Sequence, residues 1–336
     1  MTDPAGWSRE DFGAVANWSY RITGRDIGEL ADAVALVRSS GVAIEAVNRN
    51  NFHLGALTGI LADIRHELTD GRGMVMIQNF PVSQFDREAI AIAFLGLGGH
   101  LGETVPQNAQ GHILGHVKDL GGDYTEMNTR GYMTRAEMLF HADGADFVGL
   151  LCLHGAKRGG ESRVASSVTV YNRILEKRPD LANVLCDDFC RSRSGEQNPG
   201  DKPYFKQPIF SFTEGYFSAT GAGAAIDKAQ KLPDVPPYTA AQKEAVAFYR
   251  KTADECAIDI PFEQGDIQFL NNLVTLHTRR EYDDWPEEAR KRHLLRLWLS
   301  EVNGRPIPKE QREGRSGRGV QVEGVEFVAP LDVIRA

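Results

Sequence analysis

The segment Glu137-Met138-Leu139-Phe140-His141-Ala142-Asp143-Gly144 sets an imidazole and a carboxylate at i and i+2, at the end of an apolar stretch. In extended chain, side chains alternate between faces, so His141 and Asp143 leave on the same side and can close on one ion. A third donor must then come from far along the sequence. His277 is the best placed, at the end of the apolar run Leu273-Val274-Thr275-Leu276 that follows a Gly265-Asp266 turn. Two neutral imidazoles and one carboxylate make the facial set that holds non-heme Fe(II) and leaves coordination positions open. A His-x-Asp pair alone is most often a surface or capping pair, so the reading depends on what accompanies it.

What accompanies it is Arg292-His293-Leu294-Leu295-Arg296-Leu297-Trp298-Leu299. Read as a strand, it places Arg292, Leu294, Arg296 and Trp298 on one face and His293, Leu295, Leu297 and Leu299 on the other. Neither face is polar throughout, which predicts a strand covered on both sides and two arginines buried within it. Arginine's planar fork matches a carboxylate bidentately, so a dicarboxylic cosubstrate beside the metal would satisfy one of them. The alternative is an internal network of ion pairs with protein carboxylates.

Taken together, Phe140-His141-Ala142-Asp143, Gly159-Gly160-Glu161-Ser162, Gly265-Asp266 leading to Asn272 and His277, and Arg292-x-x-x-Arg296 resemble the Fe(II)/2-oxoglutarate-dependent dioxygenases of the taurine dioxygenase and clavaminate synthase type. The resemblance spans residues 137–299. It implies that His141, Asp143 and His277 are the iron ligands and that Ser162 and Arg292 hold the distal carboxylate of 2-oxoglutarate. Arg296 falls where some members contact an acidic group of the substrate. Ser162 stands where threonine is frequent and preserves the hydroxyl. The implied cofactors are Fe(II), 2-oxoglutarate as cosubstrate and O₂; the implied reaction oxidises a substrate C–H bond, by default to an alcohol, with release of succinate and CO₂.

The chain has 336 residues, 42% of them hydrophobic, a net charge of −8 and 4 cysteines. With a mean hydropathy of −0.34 and a pI near 5.7 it reads as an ordinary globular protein. The acidic balance argues against nucleic acid or an anionic membrane as main partner; a small-molecule substrate is what the resemblance implies, with homo-oligomerisation left open. Cys152, Cys186, Cys190 and Cys256 lack C-x-x-C spacing, and no leader or membrane-length apolar run is present, so a cytoplasmic location is expected.

Apolar periodicity predicts helices over Asp26–Val37, Leu54–Leu68 and Arg87–Leu97, the last ended by Gly98-Gly99, with a strand at Met74–Ile77. Residues 101–135, polar and broken by glycine, are a source of substrate contacts; Gly111 and Gly115 argue against reading His112 and His116 as a helical metal pair. Phe147–Leu153 reads as a buried strand, with Cys152 as packing. A helix is expected over Val170–Leu185, and a loop within 191–204 whose composition fits either a lid or a plain insertion. Thr239-x-x-Gln242 is a capping box that opens a helix to about Cys256. Gly221-Ala222-Gly223 lacks the third glycine of a dinucleotide loop, and Pro306–Gly319 reads as an exposed basic loop.

Because the ligands are so far apart in sequence, long-range strand pairing must close the site. The expected fold is mainly β with flanking helices, a double-stranded β-helix (jelly roll), as the resemblance also implies. It forms one domain over 1–336, with a flank at about 1–100 and an insertion at about 172–264. Two rival functions use the same fold: a metal-dependent hydrolase or isomerase, which leaves Arg292 without a purpose, and a non-catalytic small-molecule sensor.

Overall fold

The computed structural model describes residues 1–12, 18–301, 303–309, 311 and 319–333. The chain opens with β1 (Ser19–Arg21), α1 (Gly24–Ser40), α2 (Leu57–Thr69), β2 (Met74–Gln78) and α3 (Arg87–Leu101). Thr23 and Asp86 start α1 and α3 by accepting from the backbone N–H of Asp26 and Ala89, which satisfies donors a helix start leaves orphaned. Contrary to the sequence reading, α3 runs through Gly98-Gly99 to Leu101. These glycines permit close packing: a Cβ on Gly98 would stand 2.6 Å from Leu297 Cδ1. Each costs about 1 kcal/mol of helix propensity. Burying an apolar side chain returns about 1.5–3 kcal/mol, and α3 is apolar and buried over almost its whole length.

Next come β3 (Glu103–Val105), β4 (Leu114–Val117), β5 (Phe147–His154), β6 (Arg158–Gly159) and β7 (Ser162–Ser166). Gly159 and Gly160 both take positive φ in the turn before β7. The chain then forms α4 (Ser167–Lys177), α5 (Pro179–Val184), β8 (Asp188–Ser192), β9 (Tyr204–Pro208), β10 (Phe210–Thr213), β11 (Tyr216–Ala219), α6 (Ala224–Ala229) and α7 (Ala240–Cys256). The single helix expected over Val170–Leu185 is two. Pro179 disfavours helical backbone at Arg178, which has φ −146 and ψ 71, and then opens α5 itself. The capping box of Thr239 and Gln242 forms as expected.

The last strands are β12 (Ile258–Ile260), β13 (Ile267–Asn271), β14 (Thr275–Arg279), β15 (Tyr282–Asp283) and β16 (His293–Ser300). The main sheet runs β1-β2-β13-β5-β16-β3, with β4 also paired to β16; β1 and β2 are parallel and the other pairs antiparallel. A second sheet, β12-β7-β14, is antiparallel. Met74, Val148, Leu270 and Trp298 of the first sheet share a buried cluster with Val164, Ile258 and Ile260 of the second. These facing sheets make the jelly roll. On the outer face of the main sheet, Leu295, Leu297 and Leu299 pack into the cluster of α1, α2 and α3. β16 is thus covered on both sides, as its sequence predicted, and Arg296 is held inside at 7% exposure.

The α4–α7 segment has its own cluster around Phe210, Phe217 and Tyr249, which reaches the second sheet through Leu276. Of the basic stretch after Pro306, Ile307 and Gln311 are buried rather than exposed, Gln311 donating to Ser211; Arg312, Arg315 and Arg318 lie outside the described residues. Among the described residues no helix is long and apolar enough to cross a membrane.

Candidate active site

His141 occupies one ladder position rather than a full strand. Its backbone donates to His277 O at 3.1 Å and accepts from His277 N at 2.9 Å, so β14 itself sets the spacing of the two imidazoles. On its other side His141 bridges Gly221. A Cβ on Gly223 would lie 2.8 Å from His141 Cβ, so the glycines that fail as a dinucleotide loop serve to bring this segment against the histidine. Asp143 is turned back by Asn272, whose side-chain oxygen accepts from Asp143 N at 3.0 Å while its amide donates to Ala145 O.

The donor atoms of His141, Asp143 and His277 all lie within 4.8 Å of one another. His141 Nε2 is 3.9 Å from Asp143 Oδ1 and His277 Nε2 is 3.7 Å from Oδ2. His141 Nδ1 donates to the Leu139 carbonyl at 2.9 Å, which leaves Nε2 as the lone-pair nitrogen. Burial pushes His277 down to about 3, with His141 and Arg296 adding to the effect against the pull of Asp143, so the imidazole is neutral. Burial alone would raise the Asp143 carboxyl. Arg296, the two imidazoles and the Trp298 N–H outweigh it and hold the group ionised, below the ordinary carboxylate range. Two neutral nitrogens beside one carboxylate are the protonation states that a divalent iron requires, so the donor set fits the metal.

A small cavity leads from this triad between the sheets to Ser162 and Arg292. Ser162 Oγ donates to Gln268 Oε1 at 2.8 Å. Arg292 forms no ion pair among the described residues; Nη1 is buried without a partner, as is Gln268 Nε2, and Nη2 reaches the Gly160 carbonyl at 3.5 Å. Burial lowers the Arg292 pKa. An unpaired buried guanidinium costs several kcal/mol, and an anion placed between Ser162 and Arg292 would remove that cost. The internal ion-pair network weighed from sequence is therefore not what holds Arg292. It does hold Arg163, which pairs with Asp254 and Asp259.

Arg296 has a different setting. Its Nε donates to Gln107 at 2.7 Å, and Nη1 stands 3.4 Å from both oxygens of Asp143. It also borders a second, larger cavity that meets the smaller one at His141 and Asp143 and is walled by Arg130, Tyr132, Arg191, Lys228 and Trp298. The 101–135 segment supplies part of that wall, as the sequence suggested. Gln107, Trp298, Arg191 and Lys228 were missed. For Trp298 a signal existed, since it shares the face of Arg292 and Arg296. Arg191 and Lys228 are isolated cations in a segment whose pairing only the fold reveals.

Comparison with known proteins agrees with this geometry. Residues 36–298 match the model of the family described as taurine catabolism dioxygenase TauD, TfdA family. The chain is 28% identical over 328 residues to FR-33289 synthase of Streptomyces rubellomurinus, covering 94% of this chain and 95% of the relative. It is 25% identical over 226 residues to uridine-5'-phosphate dioxygenase of an Amycolatopsis species, covering 63% and 80%. Among solved structures, asparagine oxygenase with Fe(II), hydroxyasparagine and succinate superposes with a TM-score of 0.63 at 17% identity, over 84% of this chain and 93% of the other. The non-heme iron oxygenase OrfP with Fe and α-ketoglutaric acid gives 0.62 at 14%, over 90% and 99%. This chain belongs to the TauD/TfdA family and is a non-heme Fe(II)- and 2-oxoglutarate-dependent dioxygenase.

Proposed function

We propose that His141, Asp143 and His277 hold the iron of this dioxygenase, and that Ser162 and Arg292 bind the distal carboxylate of 2-oxoglutarate. The larger cavity then receives a small acidic substrate, one of whose C–H bonds is hydroxylated. The observation that supports this reading best is the meeting of two cavities at one triad. One ends on the unpaired Arg292, and the other is walled by Arg130, Arg191, Lys228 and Arg296. Iron and 2-oxoglutarate supply the oxidising power from O₂, with succinate and CO₂ as the co-products.

The chain's own residues divide the work. Arg292, and Ser162 on turning its hydroxyl from Gln268, would hold one end of the cosubstrate by charge-assisted hydrogen bonds, with its other end toward the triad. Leu150, Phe262 and Leu294 line the same cavity and exclude water from it. Arg296 keeps Asp143 ionised from one side; with Nε on Gln107 and Nη1 on Asp143, Nη2 is left to anchor a substrate oxyanion. Positioning then decides which C–H bond reacts. The loop 193–203 between β8 and β9 closes over the cavity, tied to the opposite wall by the Arg130–Glu196 ion pair. The whole chain works as one catalytic unit in a reducing compartment, consistent with four free cysteines. The acidic surface balance supports a small molecule rather than nucleic acid or membrane as partner.

The test measures succinate release by the iron-loaded enzyme against small organic acids and their neutral esters and amides, for wild type and Arg296→Leu. Acids should turn over selectively, and the variant should need higher acid concentrations. Equal turnover of neutral analogues would defeat the acidic-substrate reading.

A further inference from the structure

Arg292 is a buried cation that forms no ion pair among the described residues, although a free carboxylate oxygen is at hand. It precedes β16 and is 4% exposed. Its backbone N–H donates to Asp284 Oδ1 at 2.7 Å, and Asp284 Oδ2 is buried without a hydrogen-bond partner. The guanidinium does not take that oxygen. It stands instead on the wall of the small cavity, together with Ser162. A cation and a carboxylate attract strongly where water is excluded, so the side chain must be held in place by something else.

What lies against it is the ring of Tyr282. Arg292 Cζ stands 5.2 Å from the ring centre, within the range of a cation–π contact. The ring is itself held. Tyr282 opens β15, where it pairs with Gly159, and its backbone N–H donates to Arg135 O at 3.2 Å. Arg279 Cζ lies 4.8 Å from the same ring centre, and that guanidinium is fixed by the carbonyls of Thr134 and Ala136. Gly160 leaves room for the pair: a Cβ there would stand 3.1 Å from Arg292 Nε and 3.3 Å from Tyr282 Cβ.

We propose that Tyr282 is a positioning residue of the cosubstrate site: its ring holds the Arg292 fork toward the cavity, ready for the distal carboxylate of 2-oxoglutarate, and keeps it from closing on Asp284. This deepens the reading given for Ser162 and Arg292 and rests on it. A fork that is already aimed loses less side-chain freedom when the cosubstrate arrives, so the ring adds affinity without touching the ligand. Tyr282 is not among the residues that line the cavity, and its effect runs through Arg292.

The test titrates enzyme loaded anaerobically with Fe(II), using 2-oxoglutarate and 2-oxovalerate, which has the same chain with a methyl group in place of the distal carboxylate. Binding is read by calorimetry and by the visible absorption of the iron complex, and denaturant unfolding reports stability. Tyr282→Leu should weaken 2-oxoglutarate about 3- to 30-fold, the range of a desolvated cation–π contact, and leave 2-oxovalerate unchanged. Tyr282→Phe keeps the ring and should keep the wild-type affinity. Beside Arg292→Lys, which has no planar fork to stack, Tyr282→Leu should have a smaller effect. A residue that only fills space would instead lower stability and the affinity for both acids, in both backgrounds. Tyr282→Met, unbranched and apolar, repeats the measurement where leucine unsettles the fold. The proposal fails if these variants keep the full preference for 2-oxoglutarate over 2-oxovalerate, if Tyr282→Phe loses it, or if the effect is undiminished beside Arg292→Lys. If Arg292→Lys lowers 2-oxoglutarate affinity while Tyr282→Leu does not, the distal-carboxylate reading stands without this one. If the wild type binds the two acids equally, both fall.

Discussion

Trp298 donates its indole N–H to Oδ2 of Asp143 at 2.9 Å, so a residue of the main sheet fixes the orientation of a carboxylate that comes from the loop before β5. Partners that orient a ligating group this way typically change metal affinity about 10- to 100-fold when removed. Trp298→Phe deletes the donor and keeps most of the apolar bulk. Anaerobic Fe(II) titration should show a loss in that range, with folding stability lower by about 1–2 kcal/mol because Trp298 is a buried core residue. Unchanged iron affinity would mean that Arg296 alone holds the carboxylate in place.

Replacing His277 by alanine should end substrate-dependent succinate formation while leaving a folded protein. Its backbone hydrogen bonds with His141 do not depend on the side chain, and its Nδ1 has no partner to lose. Circular dichroism and iron titration on the same sample separate a lost ligand from a lost fold. A folded variant with wild-type turnover would remove His277 from the iron.

For the cosubstrate, Arg292→Lys keeps the charge and loses the fork. Its apparent affinity for 2-oxoglutarate should fall by about 1–3 kcal/mol, with Ser162→Ala falling less, because the serine hydroxyl is a neutral donor. Ser162→Ala also leaves the side-chain oxygen of Gln268 without its present partner, so a small loss of stability accompanies it. An Arg292→Lys enzyme with unaltered 2-oxoglutarate dependence would place the distal carboxylate elsewhere.

How much of this was legible in the sequence differs from residue to residue. His141, Asp143 and His277 were legible as a set, but the strand read from the i, i+2 spacing shrinks to one ladder position at His141, and Asp143 is placed by Asn272; only His277 lies in the strand its apolar run predicts. The face shared by Arg292, Arg296 and Trp298 followed from period two, and their burial from apolar neighbours on both sides. The end of α3 was misread because a glycine that stops a helix and one that admits Leu297 look alike in sequence. Arg178-Pro179, in contrast, carried a local break signal that periodicity over Val170–Leu185 concealed. Arg191 and Lys228 gave no signal at all. The cavity they line is assembled from elements distant in sequence, which is not a local property of the chain.

His116 and His293 stand on the neighbouring strands β4 and β16, outside both cavities that meet at the triad. Nε2 of His116 donates to the Pro330 carbonyl at 2.8 Å, so Nδ1 is the acceptor, and His293 Nε2 donates to it at 2.8 Å. Both rings are neutral in this arrangement. Burial pushes His293 down to about 3, with His116, Lys118, His154 and Arg87 adding repulsion, and burial also lowers His116. In the unfolded chain the imidazole titrates near 6.5. Above that value both states are neutral and the pair adds no pH dependence. Below it the unfolded chain takes up protons that the folded chain refuses, so stability falls with pH until the folded groups titrate too. From His293 alone the loss should reach about 2 kcal/mol by about pH 5. His293→Gln can still donate an N–H to His116 but cannot titrate. Denaturant midpoints measured from neutral to mildly acidic pH should therefore decline less steeply for the variant than for wild type, and equal slopes would show that His293 is protonated in the folded enzyme.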